Sequence, residues 1–163
     1  MAADLATWAD RYEMIVLEGC DGVGKTTYAV ALATRYGYQR VHADRTPEGV
    51  DLFQRHRSIL ARPGRLVLDR SFISELVYGP LLHGRCRLTA SQTVELLGMV
   101  AARGGVLIHL TAKPEHIRAR LLARDGAALT LDELRALTAR YLAVFSNLAR
   151  HTEVLTVNNE EAA

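Results

Sequence analysis

The sequence predicts one α/β domain with a parallel sheet covered by helices on both faces. Three observations carry this. Short apolar runs recur along the chain without the strict alternation of a half-exposed strand. Helical patterns separate each run from the next. The first run leads into GCDGVGKT, Gly19 to Thr26, a glycine turn that opens a helix.

MIVLEG, from Met14 to Gly19, reads as a short apolar strand closed by that turn. Thr26 to Tyr36 reads as a helix that Gly37 ends. RVHA (Arg40 to Ala43) is a weak second strand, and VDLFQRHRSILAR is helical until Pro63-Gly64 stops it. RLVLD (Arg65 to Asp69) is a third strand, followed by helices over Phe72 to Leu82 and Ala90 to Arg103. GVLIHL (Gly105 to Leu110) is a fourth strand, and Pro114 starts a helix reaching Arg124. DGAALT is a loop, Leu131 to Arg150 a long helix, and EVLTV (Glu153 to Val157) the last strand. The expectation is a single domain over 1–163: a core over 13–157, a short lid at about 120–130 and a frayed tail over 158–163.

Composition narrows the class. With 49% apolar and 23% charged residues the chain is ordinary for a globular domain. A net charge of +2 argues against nonspecific nucleic-acid binding. Lys25 and Lys113 are the two lysines, so 18 of the 20 basic residues are arginine. Arginine matches phosphate oxygens with a planar fork of donors. GC-rich coding alone can produce such an excess, so only arginines beside a phosphate site count as functional. Cys20 and Cys86 form no disulfide framework and lack metal-ligand spacing, which fits reduced thiols and a cytoplasmic setting. Asp4 and Asp10 interrupt the N-terminal segment, so no signal peptide is expected, and no apolar run reaches membrane-helix length.

Chemistry concentrates in the loop. GCDGVGKT fits G-x-x-x-x-G-K-[ST], with an apolar strand before it and a helix after it. Glycines let backbone N–H groups converge on phosphate oxygens, and the helix N-terminus adds positive potential. Gly19, Cys20, Asp21, Gly22, Val23, Gly24, Lys25, Thr26 and Thr27 form this candidate ATP cradle. Lys25 reaches the β- and γ-phosphates in such loops, and the Thr26 hydroxyl sits on Mg²⁺. No D-x-x-G switch follows the loop and no N-K-x-D base reader occurs, which excludes a GTPase of the usual kind.

In parallel sheets ligands bind beyond the carboxyl ends of the strands, here residues 18–26, 43–47, 69–71 and 110–113. Asp69 ends the third strand and is a candidate for organising Mg²⁺ and its water; a helix N-cap is the plainer role, shared with Ser71. Arg70 beside it is a candidate phosphoryl clamp. Arg45 lies on a turn stiffened by Pro47, where an acceptor docks in a kinase, and Asp44 is either a base or a cap. His42 alternates with apolar neighbours and reads as structural. Arg120 and Arg124, four residues apart, share one helical face. They either form a solvated charged face or stabilise charge on a transferring phosphoryl group. The glycine-bearing loop after them suits a lid.

These motifs together resemble the thymidylate kinase branch of the P-loop nucleotide kinases, in a small, truncated form of phage type. LEGCDGVGKTT is similar to that family's loop, and RTPEG to its R-E-P-G-G. DRSFISELVYG resembles D-R-Y-x-x-S-x-x-A-Y-Q at Asp69, Arg70, Ser74 and Tyr78, and KPEHIRARLLAR resembles the approach to its lid. The resemblance covers Ile15 to Arg124 and implies a sheet order of 2-3-1-4-5. It implies that Asp21 contacts the acceptor sugar, that Arg45 and Arg70 hold the acceptor phosphate, and that Arg120 and Arg124 close on the transferred group. Val23 stands where some members carry a basic residue, which fits a lid that supplies arginine.

Departures matter too. Gly79 replaces the motif's final Gln, Ser71 replaces its first aromatic, and the DRS segment is also similar to the E-R-S of deoxynucleoside kinases. The segment between Pro47 and Asp69 is short for the family, leaving Phe53, Arg55 and Arg57 as candidates for stacking or base contact. The function expected is ATP- and Mg²⁺-dependent phosphoryl transfer to a deoxynucleoside monophosphate. Two alternatives stand beside it. One is a kinase for a hydroxyl acceptor, either a deoxynucleoside or a hydroxymethylated pyrimidine in DNA, with Arg55, Arg57, Arg62, Arg65, Arg85 and Arg87 as its basic patch. The other is a non-kinase P-loop ATPase. The resemblance points to a homodimer, for which Leu76, Leu96, Leu97 and Val100 offer a face, although core packing explains them more simply.

Overall fold

β1 (Met14–Glu18) is the centre of the sheet because every residue in it is buried. β3 (Leu66–Asp69) and β4 (Gly105–Thr111) flank it, buried in the same way apart from Thr111. Strands that bury both faces read as continuous apolar runs, which is the pattern in the sequence. β2 (Gln39–His42) and β5 (Val154–Asn158) form the half-exposed edges. The five strands run parallel in the order β2-β3-β1-β4-β5. Register places Leu17 opposite Asp69 and Glu18 opposite His109, so the ends of the three inner strands converge.

The computed structural model describes residues 5–160. Helices α1 (Leu5–Arg11), α2 (Lys25–Tyr36), α3 (Leu52–Leu60), α4 (Ile73–His83), α5 (Ala90–Ala102), α6 (Pro114–Asp125) and α7 (Leu131–Leu148) connect the strands. Local chemistry sets their starts. Thr89 with Gln92 and Thr130 with Glu133 form capping boxes, and the Asp51 carboxylate accepts from the Gln54 N–H. α1 carries no such signal and was not expected. It is held by tertiary contacts: Trp8 packs on Tyr28, and the Arg65 guanidinium donates to the carbonyls of Ala9, Tyr12 and Tyr36 while stacking on Tyr38.

Two expectations change here. The tail is not frayed over 158–160: Asn158 completes β5 and Asn159 is buried, while 161–163 lie outside the described residues. Leu96, Leu97 and Val100 are core residues, so they offer no dimer face. Among the described residues no helix is long and apolar enough to cross a membrane, and Cys20 and Cys86 are free thiols.

Two histidines give the core a pH limit. His109 stacks on Phe145 at 4.5 Å, and His56 meets Phe72 edge-on at 6.0 Å. Each Nδ1 is buried without a hydrogen-bond partner, and burial pulls both rings down to about 4. A ring held neutral by the fold stabilises it fully above the unfolded value near 6.5, and that stability is lost as pH falls towards 4. Unfolding free energy is therefore expected to drop between about pH 6.5 and 4, by up to roughly 3 kcal/mol per ring. Replacing His109 with Phe is expected to flatten part of that slope in urea titrations; an unchanged slope contradicts the assignment.

Candidate active site

The loop between β1 and α2 is shaped by two glycines. Gly19 has φ 147°, and a Cβ there would run into the Leu110 carbonyl of β4. Gly24 has φ 99°, and its Cβ would lie 2.5 Å from Asn159 Nδ2. Only glycine fits such left-handed, crowded positions. Cys20 and Val23 turn their side chains into the core, so only their backbone faces the cradle.

Lys25 is buried and folded back, its Nζ donating to the carbonyls of Gly19 at 2.7 Å and Cys20 at 2.8 Å. Burial lowers its pKa, while Asp21 and Glu18 pull the other way. Asp21 is 3.5 Å from Lys25 and accepts a hydrogen bond from Arg70. Burial raises the Asp21 pKa, but Lys25 and Arg70 outweigh it and the net shift is downward.

Asp69 lies where the metal-side carboxylate is expected. Its Oδ2 accepts from Thr26 Oγ1 at 2.8 Å and Arg40 at 2.9 Å, and His42 Nδ1 is 3.3 Å away. Oδ1 is buried with no protein partner. A buried, unsatisfied carboxylate oxygen beside a threonine hydroxyl suits a hydrated divalent cation, because oxygen donors hold Mg²⁺ with several of its waters retained. His42 is half-exposed between Asp69 and Asp44 rather than packed in the core, so its structural reading gives way.

Arg70 breaks the rule for side chains. It is the one non-glycine with positive φ among the described residues, at 76°, and its N–H donates to the Leu17 carbonyl. Such a backbone costs about 1–3 kcal/mol. It carries the guanidinium back towards Asp21. The next turn is held by Glu18, fully buried, whose carboxylate accepts from Ser71 N (2.6 Å), Ser71 Oγ (3.0 Å), Ser74 N (3.2 Å) and Ser74 Oγ (3.0 Å). Burial raises its pKa against the pull of Lys25 and these donors. Glu18 thus caps α4 from across the sheet, a role the sequence reading did not assign.

Two cavities meet at Arg70. The first, about 680 Å³, is lined by loop residues Asp21, Gly22, Gly24, Lys25, Thr26 and Thr27, with Asp69, Arg120 and Arg124 facing them. Arg120 donates to the Gly22 carbonyl at 3.3 Å, whereas Arg124 is exposed and paired with Asp125 at 2.6 Å. The second, about 230 Å³, lies between the β2–α3 turn and α4. Asp44, Arg45, Ser74 and Tyr78 line it. Phe53 does not. It turns towards the core, and its neighbours Leu52 and His56 form the wall instead.

The floor of the second cavity was also missed. Arg87 grips Glu75 through Nε (3.1 Å), Nη2 (2.8 Å) and its backbone N–H (2.8 Å), and donates to the Thr46 carbonyl at 3.0 Å. A Cβ on Gly79 would lie 2.5 Å from Glu75 Oε1, which explains why glycine replaces the bulky residue there. The spacing of Glu75 and Gly79, one helical turn, was the available signal. Four of the six arginines of the candidate basic patch are engaged within the chain. Arg55 is tied to Asp44 O and Thr46 Oγ1, Arg57 to Glu95, Arg65 to backbone carbonyls and Arg87 to Glu75.

Comparison with known proteins places the fold. No protein-family model and no curated protein sequence matches the chain. Among solved structures, the YorR protein from Bacillus subtilis in complex with phosphorylated GDP is similar, with a TM-score of 0.79 and 23% identity over 90% of this chain and 85% of that one. Deoxyadenosine kinase from M. mycoides with bound dCTP has a TM-score of 0.58 and 13% identity over 90% of each chain. The same enzyme with bound dATP scores 0.53 at 12% identity, over 90% of this chain and 91% of that one. The fold is that of the P-loop NTPases, with the sheet order 2-3-1-4-5 and the phosphate loop between its central strand and α2.

Proposed function

We propose that the protein transfers the γ-phosphoryl group of ATP to a deoxynucleoside monophosphate, as a small nucleotide kinase similar to the thymidylate kinases. The observation that carries this reading is Arg70, which lines both cavities from a strained backbone. A guanidinium at that junction can hold an acceptor phosphate against the donor's terminal phosphate. The nucleotides bound in the similar structures support a nucleotide ligand here.

In the reaction an acceptor phosphate oxygen attacks the γ-phosphorus, the bond from the γ-phosphorus to the β–γ bridging oxygen breaks, and ADP leaves with that oxygen. A phosphomonoester is largely ionised near neutral pH, with a second pKa of about 6, so no strong base is needed. The salt-bridged Asp21, with its lowered pKa, is ill suited to be one. Lys25 exchanges its loop carbonyls for phosphate oxygens. Arg45 and Arg70 orient the acceptor phosphate, while Arg120 and Arg124 meet the transferred group from α6. Ser74, Tyr78 and Asp44 line the acceptor cavity, and Asp21 approaches it from the phosphate loop through its ion pair with Arg70. Thr26 and Asp69 would hold Mg²⁺, which supplies charge neutralisation when bound.

Separate incubations of γ-labelled ATP with each deoxynucleoside monophosphate (dTMP first), with the deoxynucleosides and with hydroxymethyluracil-containing DNA test this. Label is expected in one or more deoxynucleoside diphosphates. Label confined to inorganic phosphate, or to nucleosides or hydroxymethyluracil-containing DNA, contradicts it.

A further inference from the structure

The segment after β5 is built into the phosphate loop. Asn159 is 5% exposed, and four of its polar groups are in use. Its Nδ2 donates to the Val23 carbonyl at 2.7 Å and its Oδ1 accepts from Tyr28 at 3.2 Å. Its N–H donates to the Thr111 carbonyl at 2.7 Å, and its carbonyl accepts from Arg120 at 2.8 Å. Arg120 also reaches the Glu160 carbonyl at 3.2 Å, and the Glu160 carboxylate lies 3.4 Å from Lys113 beside the start of α6. One residue therefore joins the loop, the edge of the sheet and the arginine-bearing helix.

We infer that Asn159 is a positioning residue for the phosphate donor, an inference that rests on the kinase reading. The Val23 C=O and the Gly24 N–H belong to one planar peptide and point in opposite directions. By holding that carbonyl, the Asn159 amide turns the Gly24 N–H away from itself and fixes a donor of the phosphate cradle. The absence of a Cβ on Gly24 is what admits the amide. The Asn159 carbonyl holds Arg120 within 3.3 Å of the Gly22 carbonyl, ready to move onto a phosphate.

Asn159→Asp keeps the size and the acceptor for Tyr28 but sets an oxygen against the Val23 carbonyl. Asn159→Ala removes both bonds. Loss of a buried hydrogen bond that orders the site is expected to raise the KM for ATP about tenfold or more. The acceptor KM stays within about twofold, because Asn159 does not line the second cavity. ATP binding by calorimetry is expected to weaken in parallel. An unchanged ATP KM, an equal rise in both KM values, or loss of cooperative melting in both variants overturns the inference; the last outcome assigns Asn159 a purely structural role. If the wild type labels no acceptor, the kinase reading fails, while the calorimetric comparison still decides whether Asn159 positions the loop for ATP.

Discussion

Lys25→Ala is expected to lower turnover by about a thousandfold or more while leaving the fold intact. The magnitude follows from removing a charge aimed at a transferring phosphoryl group, where one preorganised donor is worth about 10²–10³ and the P-loop lysine is a full cation. The stability expectation follows from burial. Lys25 is 6% exposed, and its ammonium carries a desolvation cost that alanine does not. Alanine is also the better residue at a helix start. Against this, Glu18 loses a nearby cation and its carboxyl moves further up, towards the protonated form. A melting temperature within a few degrees of wild type, with activity lost, is the expected result. Full activity in the variant would remove the phosphate loop from the mechanism.

A pair of variants at Arg70 separates backbone from chemistry. Both Arg70→Ala and Arg70→Gly delete the guanidinium, so both are expected to lose about 10²-fold or more in turnover. They differ in what the φ of 76° costs. Alanine in the left-handed region costs about 1–2 kcal/mol more than glycine. The glycine variant is therefore expected to be the more stable by about 1 kcal/mol, or roughly 2–4 °C for a chain of this size. Equal stabilities would mean that Arg70 adopts an ordinary backbone in solution. The comparison asks whether the fold keeps arginine at a position where glycine is more comfortable.

Much of this architecture is legible in the sequence because it depends on local patterns. The buried strands read as apolar runs, Gly37 and Pro63-Gly64 mark true helix ends, and the Gly19–Thr26 loop announces itself by spacing. Asp69 and Arg70 lie at or just after a strand end, where the parallel topology turns them to a ligand, and Ser74 and Tyr78 follow on α4. What escaped is long-range. Arg40 reaches Asp69 across neighbouring strands, Glu18 caps a helix 53 residues away, and Asn159 lies 136 residues from Val23. A polar run such as NNEE gives no hint that one asparagine is buried. Phe53 failed for a related reason: an aromatic on an amphipathic helix follows the core unless the facing wall draws it out, and Leu52 and His56 occupy that wall.

The most direct test of one site with two adjoining substrate cavities uses a bisubstrate analogue, adenosine joined through a polyphosphate chain to the 5′ position of the deoxynucleoside accepted in the labelling screen. Bridging both cavities past Arg70, it is expected to compete with ATP and with the acceptor monophosphate alike, and to lose affinity in Arg70→Ala. Competition with ATP alone, at undiminished affinity in Arg70→Ala, would contradict a shared site.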